Sequence, residues 1–362
     1  MPKARSSNFE LLRIIAMFGI VVHHFINFCV VDFDVLNLNA VISGIFILGG
    51  KIGVDIFVLI SGYFMVMSTE FKFSKPIKLW LQVFMYSVSI FAVVCLRNPD
   101  FFTAPRLVKE LFPIGFNRWW FASTYFVMLL FSPFLNALLR SINQKQHIIL
   151  MTLCVVLWSF LGVLNLYKFQ LSNLLMFFML YTIAAYIRLY KNDVRVNKKI
   201  AVCIALITLC VDAFMQVALS VFGKEIPLLK SYVIPLRLES SPFTLIISVC
   251  LLLIFKDINI KNSRVINTIS SATFGVYLIH DNKYMRAFMW ESKLDGDAIK
   301  SSPYFLFYML GICVLIYIAC TLIELARIYI LEKHYSKLLC KAEPRLKELF
   351  EKLMTPIYKI LQ

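Results

Sequence analysis

Charge is scarce in this sequence: Asp, Glu, Lys and Arg make up 16% of its 362 residues, against 60% hydrophobic residues. A soluble domain carries about 25% charged residues. The chain therefore lacks the polar surface to cover itself in water, and the bilayer has to be its solvent. Strand-length segments of alternating apolar and polar residues are also missing, which excludes a membrane barrel. Apolar runs of about twenty residues recur instead, the length at which a helix crosses the hydrocarbon. The expected fold is an all-α, polytopic membrane helical bundle.

Other absences narrow the function. There are nine cysteines, but no CxxC and no Cys/His ligand spacing, so no metal site is expected. Cys154, Cys203, Cys210, Cys250, Cys313 and Cys320 stand inside apolar runs as small fillers. The net charge of +16 is scattered at the ends of apolar runs. It never gathers into a basic domain with base-stacking aromatics, so no nucleic-acid partner is expected. No internal repeat, low-complexity linker or second soluble domain is visible. The first apolar run follows Lys3 and Arg5 as a signal peptide would. It carries Arg13, His23 and His24, however, and lacks a small-x-small cleavage site, so it reads as a retained helix.

Apolar runs bounded by charges and Gly/Pro breaks predict about ten spans, near 9–31, 45–67, 77–96, 119–139, 147–165, 171–190, 199–222, 241–255, 268–285 and 303–330. The ninth is short, rich in small residues and polar at one end. The Lys/Arg bias of the connecting segments places both termini in the cytoplasm. The outer loops at 97–118, 223–240 and 286–302 are short, so any active site is built from helices and these loops. Residues 1–331 form the membrane domain. From 332 to 362 basic and acidic residues alternate, with Leu338, Leu339, Leu346, Phe350, Leu353, Ile357 and Ile360 at helical spacing. Such a segment suits an amphipathic cytoplasmic tail on the inner leaflet.

Ionisable groups inside a bilayer are costly and mark function by default. Eleven residues make almost three helical turns, so Arg13 and His24 share a face about 16 Å apart along the axis. His23 is rotated away by roughly 80°. The pair suits a donor whose anionic part is gripped by a permanent cation while its reacting end reaches a histidine, as an elongated acyl carrier such as coenzyme A would. Arg13 snorkelling to headgroups, with the histidines merely bonding neighbouring helices, is the plainer alternative. Gly49, Gly50 and Gly53 allow close backbone approach just before Asp55. A buried Asp55 needs a partner, and Lys51 or His24 is placed to supply it. Trp119, Trp120 and Tyr125 suit either sugar or pantetheine stacking or an aromatic belt, and Arg118 a headgroup anchor. His280, with Asp281 and Asn282, is the second candidate for acceptor binding or proton handling.

Three stretches, LLRIIAMFGIVVHHF, GGKIGVDIFVLISGYFM and the basic run Lys72, Lys75 and Lys78, resemble the opening of the acyltransferase 3 family of membrane acyltransferases, with its Arg-to-His spacing of eleven kept by Arg13 and His24. Two later stretches, RWWFASTYFVMLLFSPFLN at 118–136 and SSATFGVYLIHDN at 270–282, extend the similarity along the chain. The second-span phrase departs from the family's two adjacent Phe, and Lys72 or Lys75 stands where the family usually shows Arg. The resemblance implies ten helices in a bacterial inner membrane. It also implies acyl-CoA, usually acetyl-CoA, as co-substrate and a hydroxyl of a surface glycan or its lipid-linked precursor as acceptor. It implies a form without the esterase-like domain many relatives carry, acting directly, with a separate extracytoplasmic partner or as a homo-oligomer.

In that reading His24 and Arg13 are the catalytic pair, His24 as the base or a covalent acyl carrier, and Arg13, Lys72 and Lys75 hold the donor. Asp55, Trp119, Trp120, Tyr125, His280, Asp281 and Asn282 support the acceptor. The rival is a transporter using Arg13, Asp55 and His24 as an ion or proton relay, against which stands the lack of an inverted repeat. A catalytically inactive scaffold for polysaccharide assembly is the third possibility.

Overall fold

The computed structural model describes residues 6–30, 37–163, 173–222, 238–291 and 294–361. Lys3, Arg5 and most of the 223–240 loop fall outside them, as do the side chains of Leu353, Ile357 and Ile360. The described residues are helical throughout their regular structure, an all-α membrane bundle. Among the described residues, seven helices are long and apolar enough to cross a bilayer.

Five elements make the centre. Helix α1 (Ser7–Phe25) runs on through a π turn, and α2 (Leu38–Met65) returns antiparallel beside it. α3 (Ser74–Arg97) and the short α4 (Ala104–Leu111) lead to α5 (Trp120–Ser141). The start of α1 meets the end of α2, where Phe9 packs against Tyr63 and Phe64 at ring distances of 5.2 and 5.0 Å. The short link to Ser74 keeps the start of α3 at that same end of the bundle. Near the end of α5, Asn136 Nδ2 donates to the Met65 carbonyl at 2.8 Å, and Arg140 donates to the Val66 and Ser68 carbonyls. These bonds satisfy carbonyls that the end of a helix leaves open.

The second half closes around this core. α6 (Gln144–Val155) and α7 (Asn173–Tyr190) pack together, α7 against α2 and α5 as well. α8 (Lys198–Phe222) leans on α9 (Pro242–Lys256), which packs on α2. α10 (Arg264–Ser271) and α11 (Thr273–His280) are two pieces broken at Ala272, both against α1. The turn α12 (Lys283–Arg286) and α13 (Gly296–Ser301) precede α14 (Phe305–Arg327), which a π turn joins to α15 (Lys333–Leu361). In the most apolar window of α1, 61% of residues are buried, against 17% for α8. α1 is thus the hub, and α8 turns Leu206, Ile207 and Phe214 outward, as a lipid-facing helix must.

Seven of the ten expected spans correspond to these long helices. The other three map to shorter or interrupted segments: α6 with a π turn at Val156–Phe160, the fifteen residues of α9, and the broken pair α10–α11. The expected tail is helical from Lys333 and docks on the start of α3. The Glu343 carboxylate accepts the Phe73 and Ser74 amides at 2.6 and 2.8 Å, an acidic cap on a helix N-terminus.

Candidate active site

Where α1 and α2 cross, their backbones touch. A Cβ on Gly19 would stand 2.7 Å from the Gly49 carbonyl oxygen, and one on Gly50 only 2.4 Å from the His23 ring, so glycine is required at both positions. His23 is used up in this contact. Its Nδ1 lies 2.6 Å from the Ile47 carbonyl, and its Nε2 is 2.7 Å from the Asn27 amide nitrogen. A neutral ring donating from Nδ1 and accepting at Nε2 satisfies both.

His24 points about 100° further round the helix. Its Nδ1 lies 2.9 Å from Nε2 of His280, whose own Nδ1 lies 2.6 Å from the Val276 carbonyl oxygen. A carbonyl only accepts, so His280 carries its proton on Nδ1. Its Nε2 then accepts from His24 Nδ1–H, and the lone pair of a neutral His24 is left on Nε2. That nitrogen faces Asp281 Oδ1 at 3.5 Å. Arg286 Nε holds Asp281 at 3.0 Å through both its carboxylate and its main-chain carbonyl. The Arg286 guanidinium lies 4.7 Å over the Phe28 ring, and Phe28 packs against His24 at 5.4 Å. Asn282 does a different job: its Oδ1 accepts the Tyr284 amide at 2.9 Å and caps α12.

A narrow cavity of about 60 Å³ lies beside the histidines, lined by His24, Lys51, Trp120, Phe121, Glu239 and Tyr277 among others. It has room for about two water molecules. Of the three aromatic candidates only Trp120 reaches it. Trp119 is buried, and Tyr125 stacks on Phe121 with its hydroxyl 3.0 Å from Ser61 Oγ.

Two expected partnerships do not form. Lys51 extends to Glu239 at 2.7 Å, and His24 is taken by His280, so neither reaches Asp55. The long lysine stem carries its ammonium toward the loop carboxylate instead of folding back along α2. Asp55 is fully buried, with Ser248 of α9 beside it. Arg118 is no headgroup anchor: it pairs with the buried Glu110 at 2.5 Å, its side chain only 13% exposed.

The donor candidates lie at the opposite end of α1. Arg13 Nη1 is 2.8 Å from Glu10 Oε1, and Glu10 Oε2 accepts Ser270 Oγ at 2.5 Å, tying α1 to α10. One of the five guanidinium donors is thereby engaged. Lys72 and Lys75 are exposed at the start of α3, at the same end of the bundle. The structure therefore separates a cationic group at one end of α1 (Arg13, Lys72, Lys75) from a group in mutual contact at the other (His24, His280, Asp281).

Glu239 and Arg286 escaped the sequence reading, and Tyr277 entered it only as part of the stretch SSATFGVYLIHDN. Arg286 left a usable signal, a cation five residues beyond Asp281 at the end of an apolar run. Glu239 lay in a loop with no pattern.

The fold is that of a polytopic membrane protein with a histidine pair and a carboxylate in contact in its interior. A family model described as an acyltransferase domain, that of the acyltransferase-3 family, matches residues 6–324, and the chain belongs to this family. It is a membrane-bound acyltransferase of the acyl-CoA-dependent class. No curated protein and no solved structure matches the chain.

Proposed function

We propose that the protein transfers an acetyl group from acetyl-CoA to a hydroxyl of a cell-surface polysaccharide or its lipid-linked precursor, with His24 as general base. In this reading it crosses a bacterial inner membrane about ten times, with both termini in the cytoplasm. Arg13, with Lys72 and Lys75, meets the anionic part of the donor at the inner end, and the histidines lie toward the outer end. The observation that carries the proposal is the bond from His24 Nδ1 to His280, which leaves Nε2 of His24 as the proton acceptor.

The acceptor hydroxyl oxygen attacks the thioester carbonyl carbon while its proton passes to His24 Nε2. The resulting imidazolium lies beside the Asp281 carboxylate, which stabilises it. Collapse of the tetrahedral intermediate breaks the C–S bond, and the thiolate takes the proton back from Nε2. The ester and free coenzyme A leave with the site restored. Because a thioester is already activated, alignment and a base supply most of what the reaction needs.

The relay reading has less support. Arg13 is engaged by Glu10 about 16 Å along the helix from His24, and no hydrogen bond links Asp55 to either.

The test uses membranes holding wild-type protein or His24→Ala at matched abundance, following label from radiolabelled acetyl-CoA into lipid-linked glycan. Transfer by wild type should fall on the order of 10²- to 10⁴-fold in the variant. Equal transfer by both removes His24 from the chemistry.

A further inference from the structure

We propose that the open pocket beside α4 binds a glycosyl phosphate, the phosphate-bearing sugar of the acceptor. This deepens the acyl-transfer reading and rests on it for the identity of the ligand as acceptor.

The pocket, of about 330 Å³, is lined by Phe101, Arg106, Lys109, Arg118, Lys283 and Tyr284 over a floor made by Glu110. Pockets for small ligands start near this size, roughly 300 Å³, so it holds a single sugar with its phosphate and not a polymer. Four cations face one carboxylate, and that carboxylate is already committed. Glu110 is buried and accepts from Ser87 Oγ at 2.6 Å, Tyr284 Oη at 2.8 Å and Arg118 Nε at 3.1 Å. Arg118 neutralises it. Among the described residues, Arg106, Lys109 and Lys283 have no carboxylate partner. In the proposed orientation they stand on the outer side, where Lys and Arg are ordinarily sparse.

Two details select a sugar phosphate over a bare anion. The Arg106 guanidinium is held in place, donating to the Phe101 carbonyl at 2.7 Å and lying 4.2 Å over the Phe101 ring. A fixed planar fork suits phosphate oxygens. Phe101 and Tyr284 meet edge to face, 5.3 Å apart at 89°, and both line the pocket. The weakly positive C–H face of a sugar ring packs on such a surface. A phospholipid headgroup would engage the cations alone.

The position is also suitable. Lys283 and Tyr284 belong to the turn that holds Arg286 and follows Asp281 by two residues, so the pocket lies close along the chain to the histidine pair.

The test is equilibrium binding to the purified full-length protein in neutral detergent, with glucose 1-phosphate, glucose and inorganic phosphate as probes. Glucose 1-phosphate should bind more tightly than either of the others and weaken as salt is raised. The triple variant R106A/K109A/K283A, all at exposed positions, should bind it roughly tenfold more weakly. Phe101→Ala should weaken glucose 1-phosphate but not inorganic phosphate.

Inorganic phosphate binding wild type as tightly as glucose 1-phosphate would overturn the proposal in favour of a headgroup or free-phosphate site. Salt-independent binding by wild type would also overturn it, and needs no variant. His24→Ala should bind glucose 1-phosphate as wild type does. Binding without acetyl transfer by wild type therefore counts against the acyl-transfer reading alone, and transfer without binding counts against the pocket alone.

Discussion

In the proposed mechanism His280 acts through His24, and its removal should show as a change in rate with little change in binding. Without it His24 Nδ1–H loses its acceptor and the ring loses its orientation, so His280→Ala should lower kcat by about 10²-fold with KM for the donor nearly unchanged. Asp281→Asn keeps the shape but removes the charge beside the developing imidazolium, and steady-state kinetics should again show kcat falling more than KM. A raised KM with kcat unchanged would place these residues in ground-state binding instead. Sequence alone makes each histidine conspicuous, because a titratable ring in an apolar run is rare. It does not pair them, since 256 residues separate His24 from His280. Asp55 shows the reverse error: proximity in sequence suggested Lys51, but a side chain with four methylenes chooses among everything within its reach.

At the scale of the element, α1 and α2 were legible because glycine and apolar spacing agree. Gly49 and Gly50 were read as points of close approach, and the backbone contact with Gly19 bears this out. Gly50→Ala would push a methyl group into the His23 ring, and Gly19→Ala would push one into the Gly49 carbonyl. Each should destabilise the protein by ~1–3 kcal/mol in thermal unfolding in detergent, whereas Gly311→Ala, where nothing lies within 4 Å, should be neutral. The weaker spans were harder to read for a definite reason. Hydropathy sums side chains and takes no account of where a helix breaks, so it passes through the π turn after α6 and the interruption at Ala272. The small polar residues of TISSAT made the ninth segment suspect, and that is where α10 ends and α11 begins.

At the scale of the molecule, the helical segment from Phe305 to Lys352 is 48 residues long, or about 72 Å at helical rise. The hydrocarbon is about 30 Å thick, so most of this rod lies outside it. Cys340 is exposed on the protruding part. A membrane-impermeant maleimide should label a protein with Cys340 as its single cysteine in inside-out vesicles and not in intact cells. Labelling in intact cells would reverse the proposed orientation. The overall class was legible from composition alone. The loop pocket beside α4 was not, because its cations come from segments far apart in sequence, brought together where Tyr284 bonds Glu110, 174 residues away, and packs on Phe101.

The contact between α1 and α2 also limits how the site can move. Two backbones already in collision have no slack to slide, so the side of the cavity that holds His23 and His24 behaves as an abutment. Opposite it stand α11, backed by α14 where Gly275 leaves no room for a methyl group against Glu324, and the turn pinned by Arg286. The helices that carry His24 and His280 are thus each buttressed by a glycine contact, and the spacing of the two rings is set by how closely those helices pack.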